Sequence, residues 1–147
     1  MRRIYIIIFL LIFSNSLFAE LNFSNLTIIN DKDEKIIFRV EVVESEELQK
    51  KGLMYRDKLA PQTGMLFLFR NKKRASFWMK NTNIPLDIIF IKQSGIIDSV
   101  KKNTIPLSLE KIKSKSKVIA ALEIPAGETK SFSISKNSFV DLSGLED

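Results

Sequence analysis

Apolar and polar positions alternate along residues 36–43, with Ile36, Phe38, Val40 and Val42 on one side and Arg39 and Glu41 on the other. Period two marks a half-buried strand, because successive side chains leave a strand on opposite faces. The apolar run 26–29 precedes it, and Asn30-Asp31-Lys32-Asp33 between the two has turn chemistry, so a hairpin is expected. The pattern then changes. Ser45 suits an N-cap, Glu46 and Glu47 a first turn, Lys50 and Lys51 a last turn, and Gly52 a left-handed end, which predicts one short helix.

Further along, residues 65–69 and 75–79 read as two strands, with the basic stretch 70–74 as their hairpin turn. Residues 80–85 read as a loop, since the position before Pro85 disfavours helix. A buried strand at 86–91 follows, with a turn at 93–95 and a hairpin partner at 96–100. Residues 103–116 are polar and irregular, and 117–124 form another strand, closed by Pro125-Ala126-Gly127. Phe132 and Ile134 fit either a strand or a short helical turn, and 139–142 a last strand. The fold class is therefore mainly β: an antiparallel β-sandwich or barrel-like domain with one short helix after the second strand. No helix–strand alternation of a parallel α/β domain is read, and no glycine-rich phosphate loop.

The first residues have a different logic. Arg2 and Arg3 precede an unbroken apolar run at 4–13, and 14–19 are mostly small or polar up to Ala19. That is the layout of a secretory signal peptide over residues 1–19, leaving one domain over 20–147. A retained N-terminal anchor is the alternative, although a span needs about 20 apolar residues. The expected location is periplasmic or extracellular, with no stable membrane span after cleavage. No Cys follows the run, so a lipid-modified Cys is excluded.

Removing Arg2 and Arg3 lowers the net charge from +6 to +4, an ordinary value for solubility. Lys111, Lys113, Lys115 and Lys117 alternate with Ile and Ser and read as a solvated strand edge. Export argues against nucleic acid as their partner. Cys and His are absent, which removes disulfides, thiol nucleophiles, Ser-His-Asp triads and the usual zinc sites; no cofactor is expected. The fold must rest on its apolar core.

Residues 64–91 stand out, because they hold the single Trp and set a polar island between apolar runs. The stretches Gly52-Leu53-Met54-Tyr55-Arg56, Gly64-Met65-Leu66-Phe67, Phe77-Trp78-Met79-Lys80-Asn81-Thr82, Ile84-Pro85-Leu86-Asp87 with Ile88 to Ile91, and Leu122-Glu123-Ile124-Pro125-Ala126-Gly127 together carry a resemblance. In order and spacing the chain is similar to a group of small, often exported prokaryotic proteins known as domain of unknown function 192, over about residues 40–140. The resemblance implies a mainly antiparallel β-fold with one short helix, and no reaction. There are two departures. A Gly-Asp pair usual near the C-terminus is matched here by Asn137 and Ser138, and the region after Val100 is shorter and lysine-rich.

Five residues are candidates for ligand binding: Arg56, Trp78, Lys80, Asn81 and Asp87. Alternation puts Trp78 on the opposite face from Phe77 and Met79, so one face must line a second layer, a cleft or an interface. Asp87 opens an apolar strand and needs a partner, for which Lys80 and Arg56 are the obvious choices. Glu123 is the only other acid within these stretches, and no spacing brings it near Asp87. Met54, Met65 and Met79 are the methionines after the leader, and three thioethers suit Cu(I) or a packed core. The expected function is a binding or accessory module of the cell envelope, for a small molecule, glycan or envelope protein. The alternatives are a hydrolase or lyase using Asp87, with Lys80 as electrostatic stabiliser, and a copper site on the methionines.

Overall fold

The computed structural model describes residues 22–145, so the leader expected at 1–19 lies outside the described residues. The first hairpin is β1 (Asn22–Ile29) and β2 (Lys35–Val43). The helix α1 (Glu46–Lys51) follows, with Ser45 Oγ accepting from the Leu48 amide. The chain then passes through β3 (Thr63–Lys73), β4 (Ser76–Phe77), β5 (Leu86–Ile91), β6 (Ile97–Lys101), β7 (Ile112–Lys113) and β8 (Val118–Pro125). A second short helix, α2 (Glu128–Ser131), and β9 (Phe139–Asp141) complete the order, with a 3-10 turn at Ser143–Leu145.

Seven strands form one sheet in the order β6-β5-β8-β3-β2-β1-β9. The two edge strands nearly meet. Ile96 bridges to Phe139, and the Val140 amide donates to the Gly95 carbonyl at 2.9 Å. The sheet is thus a nearly closed barrel, in keeping with the mainly β class that the alternating pattern predicts. β4 and β7 form a separate two-stranded ribbon.

Two local readings need correction. β2 and β3 pair in parallel, an exception to the antiparallel class read from the sequence. The helix α1 lies in the crossover that a parallel pair requires, so one β-α-β unit is present after all. Residues 65–69 and 75–79 do not form a hairpin. β3 continues through the basic residues to Lys73 and pairs with β8 across a bulge, while β4 pairs with β7. The reason is that apolar residues on β3 alternate between two cores. Its neighbours on both sides are long buried strands, and the chain leaves the sheet at Arg74.

Those two cores are the basis of the fold. Leu66, Ile89, Ile91, Leu122 and Ile124 point into the barrel with Phe38, Val40 and Leu26. Met65, Phe67, Phe69, Leu86, Ile88 and Phe90 point outward into a second core, shared with Leu53, Met79 and Ile84. All six residues of β5 are buried, which explains why its sequence is continuously apolar apart from Asp87. Burying each large side chain contributes roughly 1.5–3 kcal/mol, and this double layer holds the fold without disulfides. Phe77 braces the outer layer, packing edge-to-face on Phe67 at 5.0 Å and on Phe90 at 5.8 Å.

Candidate functional site

The outer layer leaves a cleft of about 620 Å³ between α1, β4 and the outer face of β3 and β8. That volume is in the usual range for a small-molecule site. Three features of the chain build it. Gly52 ends α1 at φ 49 and ψ −134, a conformation that strongly favours glycine, and a Cβ there would press on the Phe67 ring at 3.3 Å. Gln49 ties α1 to the sheet, donating to the carbonyls of Val43 at 3.1 Å and Leu68 at 2.6 Å. Asp98 on β6 holds the lysine-rich segment, accepting from the amides of Lys115 and Ser116 and from Ser116 Oγ. Burial opposes the ionisation of Asp98, and these hydrogen bonds outweigh it, so its carboxyl lies below the ordinary range.

Trp78 lines the cleft and is 37% exposed. Its ring is flanked by two ammonium groups, Lys111 at 3.8 Å from the centroid and Lys80 at 5.1 Å. Lys111 is thus a ring partner as well as a member of the solvated lysine series. Asn81 stands at φ 53 and donates through Nδ2 to the Tyr55 hydroxyl at 2.8 Å, while the Tyr55 amide donates to the Asn81 carbonyl at 2.9 Å.

Of the five candidates only Trp78 lines the cleft; Lys80 meets it through the Trp78 ring, and Asn81, Arg56 and Asp87 do not line it. Arg56 forms a bidentate pair with Glu41, with one contact at 2.6 Å through Nη2. Asp87 is fully buried and takes neither Lys80 nor Arg56 as partner. Its Oδ1 accepts from the Asn103 amide at 2.8 Å. Its Oδ2 accepts from the Gly127 and Thr129 amides, both at 3.1 Å, and from Thr129 Oγ1 at 2.5 Å. The physical reason is alternation: Leu86 and Ile88 take the outer face of β5, so Asp87 points the other way, toward the start of α2. Of the three methionines, Met65 and Met79 are buried in the outer core and Met54 lines the cleft.

The buried acid at the cleft is Glu123, while Glu46 on α1 is exposed. Glu123 occupies one row with Glu41 on β2, Met65 on β3 and Ile88 on β5, all on the outer face. Glu41 in that row has Arg56. Glu123 is 5% exposed, and among the described residues no side chain donates to it or pairs with it. Burial therefore pushes its carboxyl up to about 8, so that it is mostly protonated at neutral pH. Asp87 and Glu123 are near neighbours in register, since Asp87 pairs with Ile124, yet their side chains leave opposite faces of the sheet. They do not form a carboxylate pair. The signal for Glu123 is present in the sequence as a lone acid in an otherwise apolar strand; its missing partner is not.

Together these features define a small mixed β-barrel with a second layer and an acid-floored cleft between the two. The chain belongs to the DUF192 family, described as "Uncharacterized ACR, COG1430", whose model matches residues 27–142. Among solved structures, a Sinorhizobium meliloti protein provisionally described as a transcription regulator is 32% identical, with a TM-score of 0.80 over 82% of this chain and 94% of that one. A protein of unknown function from Novosphingobium aromaticivorans is 30% identical, with a TM-score of 0.80 over 85% of this chain and 89% of that one. No curated protein matches the chain. No helix among the described residues is long and apolar enough to cross a membrane.

Proposed function

We propose that the protein is an exported binding module of the cell envelope that holds a small molecule in the cleft beside Trp78. The observation that carries this reading is the combination of a half-open aromatic wall with a buried, unpartnered acid in the same cleft. Ligand sites are mostly apolar with a few placed polar groups. Glu41, Asp87 and Asp98 have donors to both carboxyl oxygens and Glu128 to one of its two, whereas the Glu123 carboxyl has none among the described residues. Export is supported by the leader-like pattern at 1–19. Asp87 does not favour the hydrolase or lyase alternative, since both its oxygens are occupied by donors. Met65 and Met79 do not favour the copper alternative, since they fill the outer core.

Fluorescence titration with a panel of envelope sugars, sugar acids and short peptides tests the reading. Trp78 is the single Trp of the chain, so a change in the indole signal reports on this wall of the cleft. At least one compound is expected to give a saturable change and to raise the melting temperature. No response from any compound, with the same melting temperature in its presence and absence, overturns the reading.

A further inference from the structure

The chemistry of the ligand follows from two sets of groups in the cleft, and so rests on the binding reading above. The first set is at the mouth. Lys50 and Lys51 on α1, Lys73 on β3 and Lys111 before β7 line it, against one acid, Glu46, which Lys50 approaches at 3.8 Å. The mouth is therefore strongly positive, and exposed ammonium groups attract anions and repel cations. The second set is the floor. Glu123 lies between Met65 and Ile88 on its neighbouring strands, and none of the five charged groups at the mouth bonds to it. Of the other charged residues on its row, Glu41 is taken by Arg56, and Lys101, on β6 beyond Ile88, makes no ion pair with Glu123. A neutral carboxyl on the floor of the cleft offers one O–H donor that no group of the fold takes up. An acceptor oxygen from a ligand would meet it. A metal ion or ammonium group would have to pass the lysines and also ionise the acid on an apolar bed.

We propose that the cleft takes a small organic acid whose carboxylate or phosphate sits among Lys50, Lys73 and Lys111, and whose neutral carbonyl or hydroxyl oxygen accepts a hydrogen bond from the Glu123 carboxyl. Trp78 and Phe77 flank the body of the molecule between these two ends. Binding is then coupled to a proton: ionised Glu123 has no hydrogen to donate and repels an acceptor.

N-acetylmuramic acid, a sugar with one carboxylate and one amide carbonyl, is a suitable probe, with its methyl ester as the uncharged control. Trp78 fluorescence is titrated at pH 6 and pH 9 for the wild type, Glu123→Gln and Glu123→Leu. The acid is expected to saturate at pH 6, to bind about tenfold more tightly than the ester, and to weaken about tenfold by pH 9, as a carboxyl near 8 loses its proton. Glu123→Gln, which keeps a donor, retains binding and loses the pH dependence; Glu123→Leu stays folded and loses binding. Equal binding of acid and ester, the same alkaline loss in Glu123→Gln, or no binding of the acid overturns the proposal. Saturation by an uncharged compound alone would do so while leaving the binding reading intact, whereas silence across the whole panel removes both.

Discussion

Asp87 accepts a 2.5 Å hydrogen bond from Thr129 Oγ1 across 42 residues of chain. With the amides of Gly127 and Thr129, this bond makes Asp87 the cap of α2, supplied by a distant strand instead of by the residue at its N-terminus. Gly127 has no side chain to cap with, so the helix start depends on Asp87. Asp87→Asn replaces a carboxylate oxygen by a donor facing donors, and a lowering of stability by roughly 2–4 kcal/mol is expected. Thr129→Val removes one of these bonds and should cost about 1–2 kcal/mol. Urea denaturation of the wild type and both variants checks the order. Ligand binding in the Trp78 cleft should survive both changes at temperatures where the variants are folded.

Arg56 and Glu41 form the second interior charge arrangement, with the Glu41 side chain 9% exposed. The hydrogen bonds to Glu41 hold the Arg56 guanidinium above its ordinary value, despite partial burial. Arg56→Met leaves a carboxylate buried without its partner and should cost about 3 kcal/mol. Glu41→Leu combined with Arg56→Met should recover most of that loss, because a matched apolar pair removes both desolvation costs. A double-mutant cycle by thermal unfolding measures the difference. Equal stability of the wild type, the single variants and the double variant would show that the pair contributes nothing.

Glu123 gives stability an unusual pH dependence. Burial holds its proton in the folded state to about pH 8, against 4.5 as the ordinary value in an unfolded chain. Between these values the folded protein binds the extra proton. Its contribution is therefore fully present below 4.5 and is lost as pH rises through about 8, with a slope of at most about 1.4 kcal/mol per pH unit. Asp98, held below the ordinary range by its hydrogen bonds, acts in the opposite sense, and its contribution is lost as pH falls. The melting temperature should thus peak in mildly acidic solution and decline toward pH 8. Glu123→Gln should flatten the alkaline side and leave the acid side unchanged.

Gly64 lies where β3 passes close to β8. A Cβ at this position would overlap the Glu123 carbonyl oxygen, and it would meet Ile124 at 3.0 Å and Leu122 at 3.3 Å. Backbone cannot yield as a flexible side chain does, so Gly64→Ala should destabilise by about 3 kcal/mol or more. At Gly127 the surroundings are open and only the φ of 90 opposes a side chain, so Gly127→Ala should cost about 1–2 kcal/mol. Comparison of the two variants by calorimetry separates crowding from backbone strain.

Local patterns in the sequence carry most of the strand and helix positions. The N-cap at Ser45, the turn at Asn30 and the continuous apolar run of β5 are each decided by neighbours in the chain. Pairing is less legible. Nothing local to residues 70–79 says that β4 pairs with β7, far along the chain, instead of with β3. The same limit applies to the candidate site. Trp78 is identifiable as an aromatic set against its neighbours' face, and Asp87 as an acid requiring a partner. The partner is a helix end near residue 128, and that depends on which strand lies beside β5. Glu123 is visible as an acid in an apolar run, but its lack of a partner is a property of three strands at once.

The near-closure of the barrel has a consequence for solubility. An open seven-stranded sheet would present two rows of unpaired backbone groups, each able to recruit a strand from another molecule. Here β9 lies against β1 and reaches the turn before β6 through Ile96, Phe139 and Val140, so one short strand shields both margins. These contacts act as a seam. Loss of β9 would turn a self-contained barrel into a sheet with two adhesive borders, while removing only one fully buried side chain of that strand, Val140, from the inner core.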